Sequence, residues 1–315
     1  VANFPVNRFT CVTGVSGSGK SSLVCDVLYP WIARRLGVRT ERAGRCRAVK
    51  GWEEFAAVEM VGQAPIGRTP RANPASYIQA VAPIRTLFAA TKAAKERGMG
   101  PGVFSFNLPE GQCGTCRGAG IVEIEMQFLA DVYVACEACG GKRYKDEVLE
   151  IEWGGRNISE VLDMTVSEAI AFFRDHRQIV SRLQPLADVG MGYVKLGQPL
   201  NTLSGGECQR MKIASELADG RAGKTLYLFD EPTMGLHPDE VGKFLLCVDR
   251  LVARGDTVIV IEHNLDVIAR ADYVVDLGPE GGEAGGEVVA EGAPDDIARC
   301  PRSHTGRFLR EYLRG

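Results

Sequence analysis

Phe9-Thr-Cys-Val-Thr-Gly14-Val-Ser-Gly-Ser-Gly-Lys20-Ser21 is a short apolar run followed by a glycine-rich turn that ends in Lys-Ser. From Gly14 onward it fits the G-x-x-x-x-G-K-[ST] pattern of a phosphate-binding loop without departure. Phe9 to Thr13 predicts a strand, and Ser21 to Leu36 predicts a helix interrupted near Pro30. Glycines let backbone amides approach phosphate oxygens, and the N-terminus of the following helix adds partial positive charge where a phosphate sits. Gly14, Ser16, Gly17, Ser18, Gly19, Lys20, Ser21 and Ser22 are therefore candidate nucleotide-binding residues. Lys20 is placed to reach the β- and γ-phosphates and Ser21 to ligate magnesium. A Gly/Ser-rich linker would explain neither the Lys-Ser ending nor the flanking strand.

A second element lies far downstream. Thr225-Leu-Tyr-Leu-Phe-Asp230-Glu231 is an apolar strand ending in two carboxylates. Acids at a strand end are common loop residues, but together with a phosphate loop they imply a magnesium ligand, Asp230, and a residue that orients or deprotonates the attacking water, Glu231. Leu203-Ser-Gly-Gly-Glu-Cys-Gln209 precedes a predicted helix over Glu207 to Leu217, and Val258-Ile-Val-Ile-Glu262-His263 is a strand followed by a histidine. This set resembles ATP-binding-cassette ATPases. The resemblance makes Ser204, Gly205 and Gly206 the signature residues that contact nucleotide, His263 the switch histidine, and Gln63, in Val61-Gly-Gln-Ala-Pro-Ile-Gly67, the glutamine-loop residue. A lone histidine carries little information; its place after an apolar strand downstream of Asp230 gives it meaning. In that family the signature of one unit closes over the nucleotide of another, so a second ATPase unit is implied, as another copy or as a missing half of the same polypeptide.

Between Gln63 and the signature stand Cys113-Gly-Thr-Cys116 and Cys136-Glu-Ala-Cys139, with nineteen residues between the pairs. Two residues between paired cysteines let both thiolates converge on one ion, and two pairs complete the tetrahedral four-sulfur set that zinc prefers. The alternatives are buried thiols or disulfides, the latter disfavoured in a reducing compartment. A closed four-cysteine site leaves no open position, so this zinc is expected to hold a shape and perform no catalysis. Ile121 to Phe128 predicts one arm of a hairpin between the pairs. Cys11, Cys25, Cys46, Cys208, Cys247 and Cys300 show no pairing pattern and are expected to be small buried thiols.

Composition narrows the rest. The chain has 315 residues, enough for two domains, and 45% apolar content, ordinary for a globular protein. Its longest strongly apolar runs are strand-sized, far short of the roughly 20 residues a membrane-spanning helix needs, and no signal peptide is evident, so the expectation is a cytoplasmic protein without a membrane partner. The net charge of -3 argues against an evenly basic nucleic-acid binder. The charge is nevertheless polarised: residues 65–117 carry seven basic side chains against two acids, and residues 273–298 carry seven acids and no base. Either run can be a solvated face as readily as a binding surface.

The resemblance becomes specific in Thr10 to Lys20, Pro65-Ile-Gly-Arg-Thr-Pro70, Phe104-Ser-Phe-Asn107, the paired cysteines, Gly141-Lys-Arg-Tyr144, Asp230-Glu-Pro-Thr-Met-Gly-Leu-His237 and Ser303-His-Thr-Gly306. These are similar to the carboxy-terminal half of the UvrA family, nearly end to end. Gly62, Ala64, Met234 and Cys208 depart mildly from that pattern and leave open a paralogue that protects DNA against DNA-binding drugs. The resemblance implies an ATPase without nuclease activity of its own, with ATP, magnesium and zinc as cofactors. It further implies binding of damaged or distorted duplex DNA in nucleotide excision repair, and engagement of UvrB through the other half. The closing segment matches the family's own, which implies a natural carboxy terminus, while a start at Val1 is consistent with processing or with a fragment of something longer. Arg68, Arg71, Lys92, Lys95, Arg97, Lys142, Arg143 and Lys145 are candidate DNA contacts, since recognition by shape needs phosphate contacts with little base readout.

The expected fold is α/β: an ATP-binding-cassette lobe built from residues 1–66 and 219–315, with a helix-rich signature domain over 67–218 that carries a zinc-bound hairpin module at about 104–144. Helices are expected over Pro238 to Arg254, Leu265 to Ala271 and Val166 to Phe173, and core strands at Leu226, Val258 and Tyr273. Two other functions compete with the repair ATPase. One is a binding module in which ATP drives dimer closure with incidental turnover; the other, a transporter ATPase, leaves the zinc insertion unexplained.

Overall fold

The computed structural model describes residues 1–62, 66, 69, 71–124, 132–219, 223–282 and 285–314. Residues 1–64 with 219–315 make one compact unit and residues 65–218 a second. Gln63 and Arg68, both singled out from the sequence, lie outside the described residues.

The first unit is built on six strands: β1 (Phe9–Gly14), β2 (Ala57–Val61), β3 (Thr225–Asp230), β4 (Thr257–Ile261), β5 (Tyr273–Gly278) and β6 (Glu287–Gly292). Their order across the sheet is β6-β5-β1-β4-β3-β2. All neighbours are parallel except the β6/β5 edge. The three central strands β1, β4 and β3 are buried along nearly their whole length. That is why Cys11, Val12, Leu226 to Phe229 and Val258 to Ile261 form continuous apolar runs with no alternating polar face. Val12, Leu228, Ile259 and Ile261 pack with Val24, Leu28 and Ile32 from the helix after β1 into one core cluster.

That helix departs from expectation. It is not interrupted at Pro30; Ser22–Leu28 has π-type hydrogen bonding and Tyr29–Arg35 continues as α-helix. Pro30 falls in the first turn of the α segment, and the backbone stays helical through it. Helices Pro238–Ala253 and Leu265–Arg270 separate β3, β4 and β5 as expected for parallel α/β units.

The second unit is largely helical, with helices at Val81–Ala89, Val166–Phe172, Arg177–Asp188 and Gly205–Asp219 among others. Ile121–Ile124 pairs antiparallel with Val132–Ala135 as a two-stranded hairpin; the rest of the predicted arm, to Phe128, lies outside the described residues. No helix among the described residues is long and apolar enough to cross a membrane.

Candidate functional site

The nucleotide-type site of the first unit forms where β1, β3 and β4 end. Gly14 closes β1 at φ 135°, and a Cβ there would fall 2.1 Å from the Leu277 carbonyl oxygen. Only glycine lets β1 turn out of the sheet at that point. The loop is also held by the segment after β5, where Gly282 N–H donates to Gly17 O (3.1 Å) and Gly286 N–H to Ser18 O (3.1 Å). Lys20 is buried, and its ammonium donates to the Gly14 and Val15 carbonyls at 3.0 and 2.9 Å. Burial pulls this ammonium below its usual range, against the opposing charges of Glu231, Asp276 and Asp230. Two neutral carbonyls do not neutralise a buried cation, so the donor set fits an anionic phosphate. Ser16, Ser21 and Ser22 lie exposed along the loop and the start of its helix, whereas Ser18 is buried.

Asp230 ends β3, and burial, then the adjacent Glu231 charge, raise its carboxyl above the usual range. A divalent cation held there with Ser21 would offset that cost, and hard oxygen donors suit magnesium. Glu231 breaks from the strand at φ 46°, a left-handed conformation rare for a residue with a side chain. Its N–H donates to Ile261 O at 3.0 Å, and its Oε1 lies 2.6 Å from His263 Nε2. The structure thus brings together two residues that the sequence separates by about thirty positions.

Glu262 has no role assigned from sequence, yet it organises this corner. Its buried carboxylate accepts from Thr233 N (2.9 Å), Thr233 Oγ1 (2.5 Å), His263 N (2.8 Å) and Asn264 N (3.1 Å). One side chain therefore ties the turn after Glu231 to the backbone of His263. The signal available was a charge ending an otherwise wholly apolar strand. Asp276, counted from sequence within an acidic run, is likewise buried and accepts from Thr13 Oγ1, Ser303 Oγ and Thr305 Oγ1 at 2.6 to 2.8 Å.

In the second unit, Ser204 caps the helix Gly205–Asp219. Glu207 N–H donates to Ser204 Oγ (3.2 Å) and Ser204 N–H donates to Glu207 Oε2 (2.7 Å), the reciprocal capping pair. Ser204, Gly205 and Gly206 thus present a helix N-terminus whose amides suit an anionic ligand.

The four cysteines converge. All four Sγ atoms lie within 4.8 Å of one another, and Cys116 Sγ and Cys139 Sγ are 3.7 Å apart. A tetrahedron with zinc–sulfur bonds of about 2.3 Å has edges of about 3.8 Å, so the spacing fits. Cys113 N–H donates to Arg143 O at 2.8 Å, closing the module at its base, where the Phe106 and Tyr144 rings meet edge to face at 6.0 Å. Burial pushes the Cys139 thiol up to about 12; at Cys113 burial is outweighed by backbone hydrogen bonds at Cys116 and Thr115, which bring it to about 7. The other cysteines correct the expectation of uniform burial: Cys11, Cys208 and Cys247 are buried, Cys25 and Cys300 are half-buried, and Cys46 is exposed.

The candidate DNA-contact cations divide. Arg97 pairs with Glu150 at 2.6 Å, Lys92 with Glu96 at 3.7 Å, and Lys145 with Glu147 at 4.0 Å and the Glu110 carbonyl at 2.9 Å. Arg143 donates to Gly197 O at 3.0 Å and lies 5.3 Å from the Phe106 ring centroid. Arg71 is half-buried, and Lys95 and Lys142 are exposed.

A mostly parallel sheet with a phosphate loop at the end of β1, paired acids ending β3 and a histidine beyond β4 defines the ATP-binding-cassette class of nucleotide-binding fold. No family model matches the chain. It is 57% identical over 309 residues to UvrABC system protein A of Methanothermobacter thermautotrophicus, covering 98% of this chain and 32% of that protein. The corresponding protein of Bacillus subtilis is 54% identical over 312 residues, covering 99% and 33%. The crystal structure of UvrA2 from Deinococcus radiodurans superposes with a TM-score of 0.90 at 45% identity, over 98% of this chain and 37% of that one. The chain is homologous to a part of UvrABC system protein A and spans about a third of the length of the curated relatives it matches.

Proposed function

We propose that this chain is an ATP-hydrolysing unit of a UvrA-type nucleotide excision repair protein, coupling nucleotide turnover to the binding of distorted duplex DNA. The observation that carries the ATPase reading is the 2.6 Å contact between Glu231 and His263 beside Lys20 and Asp230. Lys20 neutralises the β- and γ-phosphates, with Gly14, Gly17 and Gly19 giving the loop its shape and Ser16, Ser18 and Ser22 lining it. Asp230 and Ser21 supply oxygen ligands for magnesium. Glu231 accepts the proton of the attacking water, His263 positions Glu231 and senses the γ-phosphate, and Gln63 links the site to the signature domain. Ser204, Gly205 and Gly206 complete the site of a second ATPase unit, either the other half of a longer polypeptide or another copy. Cys113, Cys116, Cys136 and Cys139 hold a structural zinc. Turnover per chain is therefore expected to rise with protein concentration; a constant rate from dilute to concentrated monomer counts against pairing.

Glu262 is expected to position His263. Glu262→Gln should cost about 1.5–3 kcal/mol in lobe stability, the range for hydrogen bonds to a charged group, and lower kcat with little change in KM for ATP. Thermal melting and steady-state kinetics read both, and an unaltered kcat would confine Glu262 to a packing role.

For DNA, Lys95 and Lys142 are exposed cations, and Arg71 is a third contact in the same unit as the zinc module. Lys142→Ala should weaken duplex binding and reduce the slope of log affinity against log salt by about 0.9, one phosphate contact. Arg143→Ala should cost stability as well, because its guanidinium is committed to Gly197 O and Phe106. Lys92, Arg97 and Lys145, already ion-paired, contribute less, and Arg68 remains a candidate from sequence. Engagement of UvrB belongs to the larger protein. A UvrA-like paralogue that protects DNA against DNA-binding drugs is the second reading, and the 57% and 54% identities to UvrABC system proteins support the repair subunit.

A further inference from the structure

Between residues 34 and 50 the chain carries seven cations against one acid, Glu41, a denser basic run than residues 65–117. It lies in the first unit, over the last turn of the helix that begins at the phosphate loop and the segment that follows it. There the chain folds back over a concave pocket of about 440 Å³, lined by Trp31, Arg34, Arg42 and Arg45 together with the backbone turn at Ala43 and Gly44. A volume of that size lies within the roughly 300–1,000 Å³ typical of ligand sites.

Three features make this more than a solvated loop. The turn is seated: Gly44 N–H donates to Asp26 O at 2.8 Å, and a Cβ on Gly44 would lie 2.9 Å from Val27 Cγ2, so the arginine-bearing segment is pressed against the helix. The charge is uncompensated: among the described residues, none of the Arg34, Arg42 and Arg45 guanidiniums has an ion pair or a hydrogen-bond acceptor. Mutual repulsion of three cations around one hollow is relieved by a polyanion spanning them. Finally, Arg35 stacks on Trp31, 4.7 Å from the ring centroid, and lies 5.7 Å from that of Trp52. Trp31 is thus a rigid wall with one face already occupied, which suits a phosphodiester backbone better than a stacked base.

We propose that this pocket binds the phosphodiester backbone of duplex DNA, giving the nucleotide-binding lobe a DNA contact of its own, separate from the zinc-bearing unit; this rests on the duplex-binding part of the proposed function. Guanidinium forks match phosphate oxygens in pairs, so up to three phosphate contacts are available without base readout.

The test is fluorescence anisotropy of the whole chain with a labelled duplex across a salt series. Combined Arg34→Ala, Arg42→Ala and Arg45→Ala should weaken binding and reduce the log–log salt slope by about 2 to 3, near 0.9 for each phosphate no longer neutralised. The corresponding Arg→Lys triple should keep most of the slope, and Arg42→Glu alone, on an exposed turn, should lower affinity in the same direction should the alanine triple fold poorly. A wild-type chain that binds no duplex overturns both the pocket assignment and the duplex-binding reading. A wild-type chain that binds duplex with the same slope as the folded alanine triple overturns the pocket assignment alone. In a Lys20→Ala background, which silences the phosphate loop, inorganic tripolyphosphate separates the sources of phosphate. Tripolyphosphate binding that disappears in the triple, with the duplex slope unmoved, assigns the pocket to a free anion and overturns the proposal.

Discussion

Glu231→Gln is expected to lower ATP turnover by about 10²–10⁴-fold while nucleotide binding persists, the span that a positioned general base contributes. The substitution keeps the size and hydrogen-bonding reach of the side chain and removes its ability to accept a proton. Two constraints fix Glu231 where that loss matters. Its backbone is held at φ 46° by an N–H donated to Ile261 O, and its carboxylate meets His263 Nε2 at 2.6 Å. A non-glycine residue in that conformation costs about 1–3 kcal/mol, a strain that persists only where surrounding structure imposes it. Lys20 and the phosphate loop are untouched, so equilibrium binding of a nucleotide analogue should match wild type while single-turnover hydrolysis collapses. The same variant separates the competing readings: lost discrimination between damaged and intact duplex, with DNA affinity retained, supports coupled hydrolysis. Unchanged turnover would sink the role assigned to Glu231, and unchanged discrimination despite lost turnover would favour a binding module.

The second large effect concerns the metal. Cys136→Ser is expected to abolish stoichiometric zinc and to unfold the module between about residues 104 and 144. Cys136 is fully buried, and its sulfur lies within 4.8 Å of the other three. Structural zinc contributes roughly 10 to 16 kcal/mol of apparent binding free energy, comparable with the roughly 5–15 kcal/mol stability of a whole domain, so no rearrangement of four thiols replaces it. Elemental analysis should find about one zinc per wild-type chain, the stoichiometry of a closed four-cysteine site. A strong chelator should make the segment susceptible to limited proteolysis while the residues of the first unit keep their protection. A folded, metal-free wild-type chain would remove the zinc assignment.

The nucleotide lobe was legible because parallel strands buried on both faces write uninterrupted apolar runs, and because phosphate loops demand glycine, lysine and serine at fixed spacing. Helices Pro238–Ala253 and Leu265–Arg270 were expected as the connections between parallel core strands and ended within a residue of expectation. The cysteine quartet was legible for a similar reason, since metal geometry constrains sequence spacing directly. Glu262 and Asp276 were not. Their hydroxyl partners lie 27 to 263 residues away, and only the fold shows that these charges point inward onto hydroxyls and amides. The continuity of the helix through Pro30 was also hidden, because its change from π to α hydrogen bonding leaves no mark in residue type. Nor did composition show which cations of the second unit were already paired.

The order of strands across the sheet has a consequence for how the chain is made. Of the six strands of this sheet β1 leaves the ribosome first, yet both of its neighbours lie far downstream, β4 beginning at Thr257 and β5 at Tyr273. At synthesis rates of about 5–20 residues per second, the strand that leads into the phosphate loop waits about 10 to 50 s with both hydrogen-bonding edges open. The 65–218 unit, contiguous in sequence, emerges complete during that wait. The inserted unit is therefore fully synthesised before the lobe that brackets it can close, and β1 stays without either strand partner until then.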